Sequence, residues 1–162
     1  MSAPTVQRIR VVRGPEICVL LRDLIGKQMQ IKDLPPVKSA DGYYAVASYE
    51  REDGTLAASF GIDLQLAASL AAALTLVPSG VADDSVRAKA LEPMLEENLA
   101  EVLNVAGRFF NGPTWPRVIM KALGKPPCAD PVKQLWATAP TRFAFEVTPA
   151  GYKGGKIALV AN

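Results

Sequence analysis

The chain has 162 residues, 49% of them hydrophobic and 21% charged, which is enough apolar material for one domain with a real core and too much for intrinsic disorder. Its 18 basic and 16 acidic side chains leave a net charge of +2, which gives no global argument for a nucleic-acid partner. Histidine is absent, which excludes Ser-His-Asp and Cys-His nucleophile systems, His-ligated zinc and a neutral-pH imidazole base, while the two cysteines, Cys18 and Cys128, are too few for a Cys-rich metal site.

The charge is uneven along the chain. Residues 1–40 carry a net +4, residues 41–104 a net −8 and residues 105–162 a net +6. An acidic middle between basic ends is either a charged face for a partner or a set of sheet and helix surfaces of different sign. The N-terminus, with Arg8, Arg10 and Arg13, lacks the apolar stretch of a signal peptide, and the longest apolar run, Leu66 to Val77, is too short to span a bilayer. A cytoplasmic protein with no membrane partner is the expectation, and the low cysteine count suits a reducing compartment.

In chain order, alternation over Thr5–Val12 predicts a first strand ended by Gly14-Pro15. Glu16–Ile25 then reads as a helix with Pro15 in its first turn and Gly26 as its cap. Gln28–Lys32 predicts a short strand closed by Pro35-Pro36. Tyr43–Tyr49 and Thr55–Ile62 predict a hairpin turned at Asp53-Gly54. Asp63 is placed to cap an Ala- and Leu-rich helix reaching Leu76, which has hardly a polar side and is therefore expected to be buried on most faces. Asp84–Leu91 predicts a short helix, with capping the expected part of Asp83-Asp84. Pro93 suits the first turn of the longest helix, which runs to Phe110 and stops at Asn111-Gly112-Pro113. The proline-rich stretch 113–135 is expected to be an irregular connection, and Arg142–Thr148 with Lys156–Ala161 predicts a closing hairpin. The glycines and lysines of residues 151–156 have phosphate-loop composition but not the spacing, so a hairpin turn is the better assignment. Trp115 and Trp136 are expected to anchor core or loops. A weak echo links Leu24-Ile25-Gly26-Lys27 and Pro35-Pro36 with Ala122-Leu123-Gly124-Lys125 and Pro126-Pro127.

At 100° per residue, the helix over 93–110 gathers Leu95, Leu99, Val102, Leu103, Ala106, Phe109 and Phe110 on one side. Opposite them, at spacings of four, three and four, stand Glu97, Glu101, Asn104 and Arg108, edged by the small residues Ala100 and Gly107. Such a stripe is either a solvated face or a surface that another protein approaches closely. Asn is a poor helix former, and its carboxamide is donor and acceptor at once, able to hold a water against an electrophile.

Glu101-x-x-Asn104, followed after 22 intervening residues by Pro127, resembles the active-site pattern of the CheC/CheX/FliY chemotaxis phosphatases. The order of elements, from Leu24-Ile25-Gly26-Lys27 through the Asp53-Gly54 hairpin to the long helix with Ala106-Gly107, is similar to that family as well. Glu97 stands where the pattern has Asp or Ser, and the first half has no Glu-x-x-Asn, as in single-site members. The predicted elements give an α+β fold over 1–162, a twisted, mainly antiparallel sheet of hairpins with long amphipathic helices packed on it, and the resemblance implies a pseudo-twofold arrangement. It implies hydrolysis of the aspartyl phosphate of a receiver domain, with Mg²⁺ and a Lys supplied by that partner and no cofactor or metal held by this chain. Asn104 would orient the attacking water and Glu101 would pair with the partner's Lys. Glu97, Ala100, Gly107 and Arg108 would line the docking surface, and Pro127 would shape a loop near the site. A homodimer is compatible with the family. A non-catalytic receiver or flagellar-switch binding module on the same fold is the alternative.

Overall fold

A computed structural model describes residue 11 and residues 13–112 and 116–162. The strand predicted over Thr5–Val12, apart from Val11, and Trp115 lie outside the described residues; Val11 itself is in no strand.

Helix α1 (Gly14–Ile25) begins with Pro15 in its first turn and ends at Gly26, as its sequence predicts. Strand β1 (Met29–Leu34) follows. Strands β2 (Ala45–Arg51) and β3 (Leu56–Ile62) form the predicted hairpin. The Asp53 carboxylate accepts the Thr55 backbone N–H at 2.9 Å and the Thr55 hydroxyl at 2.7 Å, a local bond that fixes the turn ahead of any tertiary contact. Helix α2 (Leu64–Leu74) is capped by Asp63, whose carboxylate accepts the Leu66 N–H at 2.9 Å, and Leu66 to Ala73 are all buried. Helix α3 (Ser79–Ala88) starts earlier than predicted, after Pro78. Asp83 and Asp84 therefore sit inside it and cap nothing; they pair with Lys153 and Arg87 instead. Helix α4 (Pro93–Val105) tightens into a 3-10 turn over Ala106–Phe109.

The stretch 113–135 is not an irregular connection. It holds strand β4 (Val118–Gly124) and the start of helix α5 (Asp130–Thr138). Its prolines punctuate these elements instead of preventing them: Pro116 precedes β4, Pro126-Pro127 follow it and Pro131 lies in the first turn of α5. Strands β5 (Thr141–Pro149) and β6 (Gly155–Ala161) are the predicted closing hairpin, and the glycine- and lysine-rich segment is its connection.

The architecture is α+β. All strands pair antiparallel in one six-stranded sheet of order β1-β5-β6-β3-β2-β4. β3 and β6 meet at the centre, β1 pairs with the second-half strand β5, and β4 pairs with the first-half strand β2. This reciprocal exchange is the expected pseudo-twofold. It also sorts the sequence echo: Pro35-Pro36 and Pro126-Pro127 both follow edge strands, whereas Gly26 ends a helix and Gly124 ends a strand.

Alternation along the strands divides the core between the two faces of the sheet. Tyr49, Phe60, Ile62, Ile157 and Leu159 pack under α1, α2 and α4. Val46, Ala144, Ala158 and Val160 pack under α5, where the fully buried Trp136 donates its Nε1–H to the Ser59 hydroxyl at 3.0 Å. No helix among the described residues is long and apolar enough to cross a membrane.

Candidate functional site

The site is built on α4. Leu95, Leu99, Val102 and Leu103 are buried as their spacing dictates, and Ala106, Phe109 and Phe110 continue that side through the 3-10 turn. Asn98 joins them, which the sequence reading missed. The residue is 9% exposed, and its amide donates to the Ala71 carbonyl at 2.9 Å and the Thr75 hydroxyl at 3.0 Å, locking α4 to the end of α2. The signal was its place three residues after Leu95 and four before Val102.

The opposite side bears the stripe. Glu97, Glu101, Asn104 and Arg108 are all exposed, and Ala100 between them is half-buried. Neither Glu101 nor Asn104 has a hydrogen bond or ion pair among the described residues. They project one turn apart, about 4.5 Å along the axis. The neighbouring Glu96, by contrast, is engaged: it accepts the Tyr44 hydroxyl at 2.6 Å and the Lys125 ammonium at 2.9 Å, and Lys125 lies 4.5 Å above the Tyr44 ring. Tyr44 and Glu96 together hold the Lys125 ammonium above its ordinary pKa range.

Gly107 departs from expectation. It is buried, and the place of its absent side chain faces the Tyr49 ring at 3.4 Å, so its smallness serves packing within the fold and does not admit a partner. Tyr49 in turn donates its hydroxyl to the Leu103 carbonyl at 2.6 Å, fixing the end of α4 to β2; its burial pushes the phenol far above its ordinary pKa. What Gly107 offers outside is backbone, in the wall of a hollow of about 280 Å³ beside Asn104.

That hollow separates the end of α4 from the start of β4, with Arg108, Arg117, Ile119 and Met120 in its walls. Asn111 spans it: its amide donates to the Gly107 and Val118 carbonyls, each at 3.0 Å, and accepts the Val118 N–H at 2.8 Å. Sequence reasoning took Asn111 only as the end of a helix and did not single out Arg117, because their meeting depends on where β4 docks. Pro127 is not brought to this place. It follows the other end of β4, two residues beyond Lys125, which pairs with Glu96 more than two turns before Asn104. Pro127 joins β4 to α5 through a cis bond with Pro126.

The pseudo-twofold gives α4 a counterpart in α1. Ile17, Leu21 and Ile25 are buried at the spacing of Leu95, Leu99 and Leu103. On that alignment Asp23 stands for Glu101, but Gly26 stands where Asn104 is and Val19 where Glu97 is. Only α4 carries both the acid and the amide. No group of His, Cys, Asp and Glu among the described residues could hold a metal ion.

No protein-family model matches the chain, and no curated protein matches it. Solved structures do. The FliM middle domain of Vibrio alginolyticus superposes with a TM-score of 0.59 at 10% identity, over 90% of this chain and 86% of that one. Thermotoga maritima FliY gives 0.51 at 16% identity, over 90% and 81%. FliM of H. pylori, in its complex with FliG, gives 0.55 at 8% identity, over 91% and 85%. The chain thus has the CheC/CheX/FliY-type fold, with its own six-stranded antiparallel sheet superposing on FliY and FliM middle domains at low identity.

Proposed function

We propose that this chain is a phosphatase for the aspartyl phosphate of a receiver-domain protein, docking through the exposed face of α4. The observation that carries the proposal is the freedom of Glu101 and Asn104: an acid and an amide one turn apart, exposed and without partners among the described residues, on a helix held rigidly by its other side. Phosphoryl transfer asks for positioning and charge stabilisation, and it needs neither histidine nor a nucleophilic side chain. Asn104 orients a water in line with the phosphorus, donating and accepting at once. Glu101 pairs with a Lys in the partner's phosphorylated pocket, which also brings the Mg²⁺, and so fixes the docking register. Glu97 and Ala100 flank that contact. The cytoplasm, where receiver domains are phosphorylated, is the place this function assigns.

The test mixes the chain with a receiver domain charged by acetyl phosphate and follows phosphate release. The wild type accelerates release, and Asn104→Ala loses on the order of a hundredfold, the scale of removing one positioned donor. An Asn104→Ala variant as fast as wild type sinks the proposal.

The second reading is a binding module of the flagellar switch without turnover. Two observations favour it: the FliM of similar fold is held in a complex with FliG, and Glu97 replaces the Asp or Ser of the phosphatase pattern. It predicts binding to a phosphorylated receiver or a switch protein with an unchanged phosphate lifetime.

A further inference from the structure

Two carboxylates and one amide make an unwelcoming surface for a phosphoryl group, whose charge lies on its peripheral oxygens throughout transfer. The stripe supplies a cation one turn beyond Asn104, Arg108, and the fold supplies another from a different element. Arg117, just before β4, shares the walls of the 280 Å³ hollow with Arg108 and Asn104. Arg108, Asn111 and Arg117 also border a second, largely apolar hollow of about 740 Å³, walled on its far side by Pro15, Glu16 and Leu20 of α1. Both arginines therefore border both hollows.

Both side chains are exposed, and neither has a hydrogen bond or ion pair among the described residues. Like charges sharing one small cavity repel, and an oxyanion between them turns that repulsion into attraction. Guanidinium is also the side chain best matched to phosphoryl oxygens, which it meets with two parallel N–H donors. The backbone on each side of the pair is fixed beforehand: Asn111 bonds to Gly107, beside Arg108, and to Val118, beside Arg117. Two arginines whose backbones are braced in this way start from fixed places on either side of the hollow, within which their side chains can close on one small anion.

We propose that Arg108 and Arg117 form an oxyanion site beside Asn104 that takes the oxygens of a phosphoryl group. The identity of the group's carrier rests on the phosphatase reading; the anion site itself does not. Arg117 is then a substrate-positioning residue, and the same site receives the phosphate ion released by hydrolysis.

Inorganic phosphate titrated into the full chain, with chloride at matched ionic strength as control, is followed by NMR at the arginine Nε–H groups. Saturable shifts at Arg108 and Arg117 are expected, with affinity at least about tenfold weaker in Arg117→Gln and partly restored in Arg117→Lys. A response to phosphate no different from that to chloride overturns the proposal. A second arm follows phosphate release from a phosphorylated receiver domain, where Arg117→Gln should lower kcat/KM about tenfold and relieve inhibition by added phosphate. If phosphate binds but Arg117→Gln turns over like wild type, the site holds only the free ion and its assignment to the reacting group is overturned. If the wild type itself gives no acceleration, the phosphatase reading falls, and the phosphate titration still decides the anion site. Thermal melts of each variant keep loss of fold apart from loss of binding.

Discussion

Glu101 and Asn104 are exposed and have no hydrogen bond or ion pair among the described residues, so their removal separates the proposed chemistry from folding. Glu101→Ala and Asn104→Ala should each move stability by no more than about 0.5 kcal/mol in a urea melt, while on the proposed function each slows phosphate release, Asn104→Ala by about a hundredfold. Tyr49 is the opposite kind of residue. Its hydroxyl serves the Leu103 carbonyl in a fully buried setting, and Tyr49→Phe should cost about 1–3 kcal/mol by leaving that carbonyl unsatisfied. Tyr43 reports on pH. Burial, with the Asp63 charge adding to it, pushes its phenol up from 10.0 to about 12. The folded chain keeps that proton longer than the unfolded one, so the stability it contributes is whole below pH 10 and is lost as the pH rises through about 12. Unfolding free energy measured in urea should decline over this window, and Tyr43→Phe should make the decline shallower.

At the scale of elements, Asp63 organises the junction of β3, α2 and β6. Its carboxylate accepts the Leu66 N–H at the start of α2 and, at 2.8 Å, the Lys156 N–H of β6. Burial raises its pKa even against these two donors, which favour the charged form. Gly155 makes the junction possible, since a side chain there would run into the Asp63 carboxylate and the start of α2. Asp63→Ala should therefore cost about 1–2 kcal/mol in a chemical melt, whereas Asp63→Asn, which keeps an acceptor at the cap, should cost less. Helix α4 is held in the same way at both ends, by Glu96 to Tyr44 and Lys125 and by Tyr49 to Leu103. These ties hold the helix from its inner side while its outer stripe stays unpaired among the described residues.

For the whole molecule, the sheet separates the candidate site from a second packed layer. α4 with the candidate site lies on one face, and α5 with Trp136 closes the other. Arg142 secures that second layer, donating to the Trp136 carbonyl at 2.9 Å, the Ala139 carbonyl at 2.7 Å and the Val37 carbonyl at 3.1 Å. Trp136→Ala should lower stability by about 3–5 kcal/mol in thermal or urea unfolding, because it opens a cavity and strips Ser59 of its donor. The pseudo-twofold is topological more than chemical. α1 repeats the buried spacing of α4, but Gly26 and Val19 occupy the places of Asn104 and Glu97, so of the two helices α4 alone presents the acid and the amide together.

What the sequence determined by itself is local and periodic. The 3.6-residue repeat of α4 assigned Leu95, Leu99, Val102 and Leu103 to the core and exposed Glu97, Glu101, Asn104 and Arg108, because a helix fixes which residues share a face whatever it packs on. The Asp53-Gly54 turn and the Asp63 cap were legible for the same reason: their bonds close within three residues. The density of prolines over 113–135 hid β4 and α5, since proline excludes the interior of an element and not its ends. Only the tertiary structure decided that Gly107 faces Tyr49, that Pro127 lies at the far end of β4, and that Asn111 ties Gly107 to Val118 beside the hollow that Arg108 and Arg117 line. Those placements follow from which edge of the sheet β4 joins, and that pairing, between residues some 70 positions apart, is set by how two halves of the chain exchange strands and not by any short stretch of sequence.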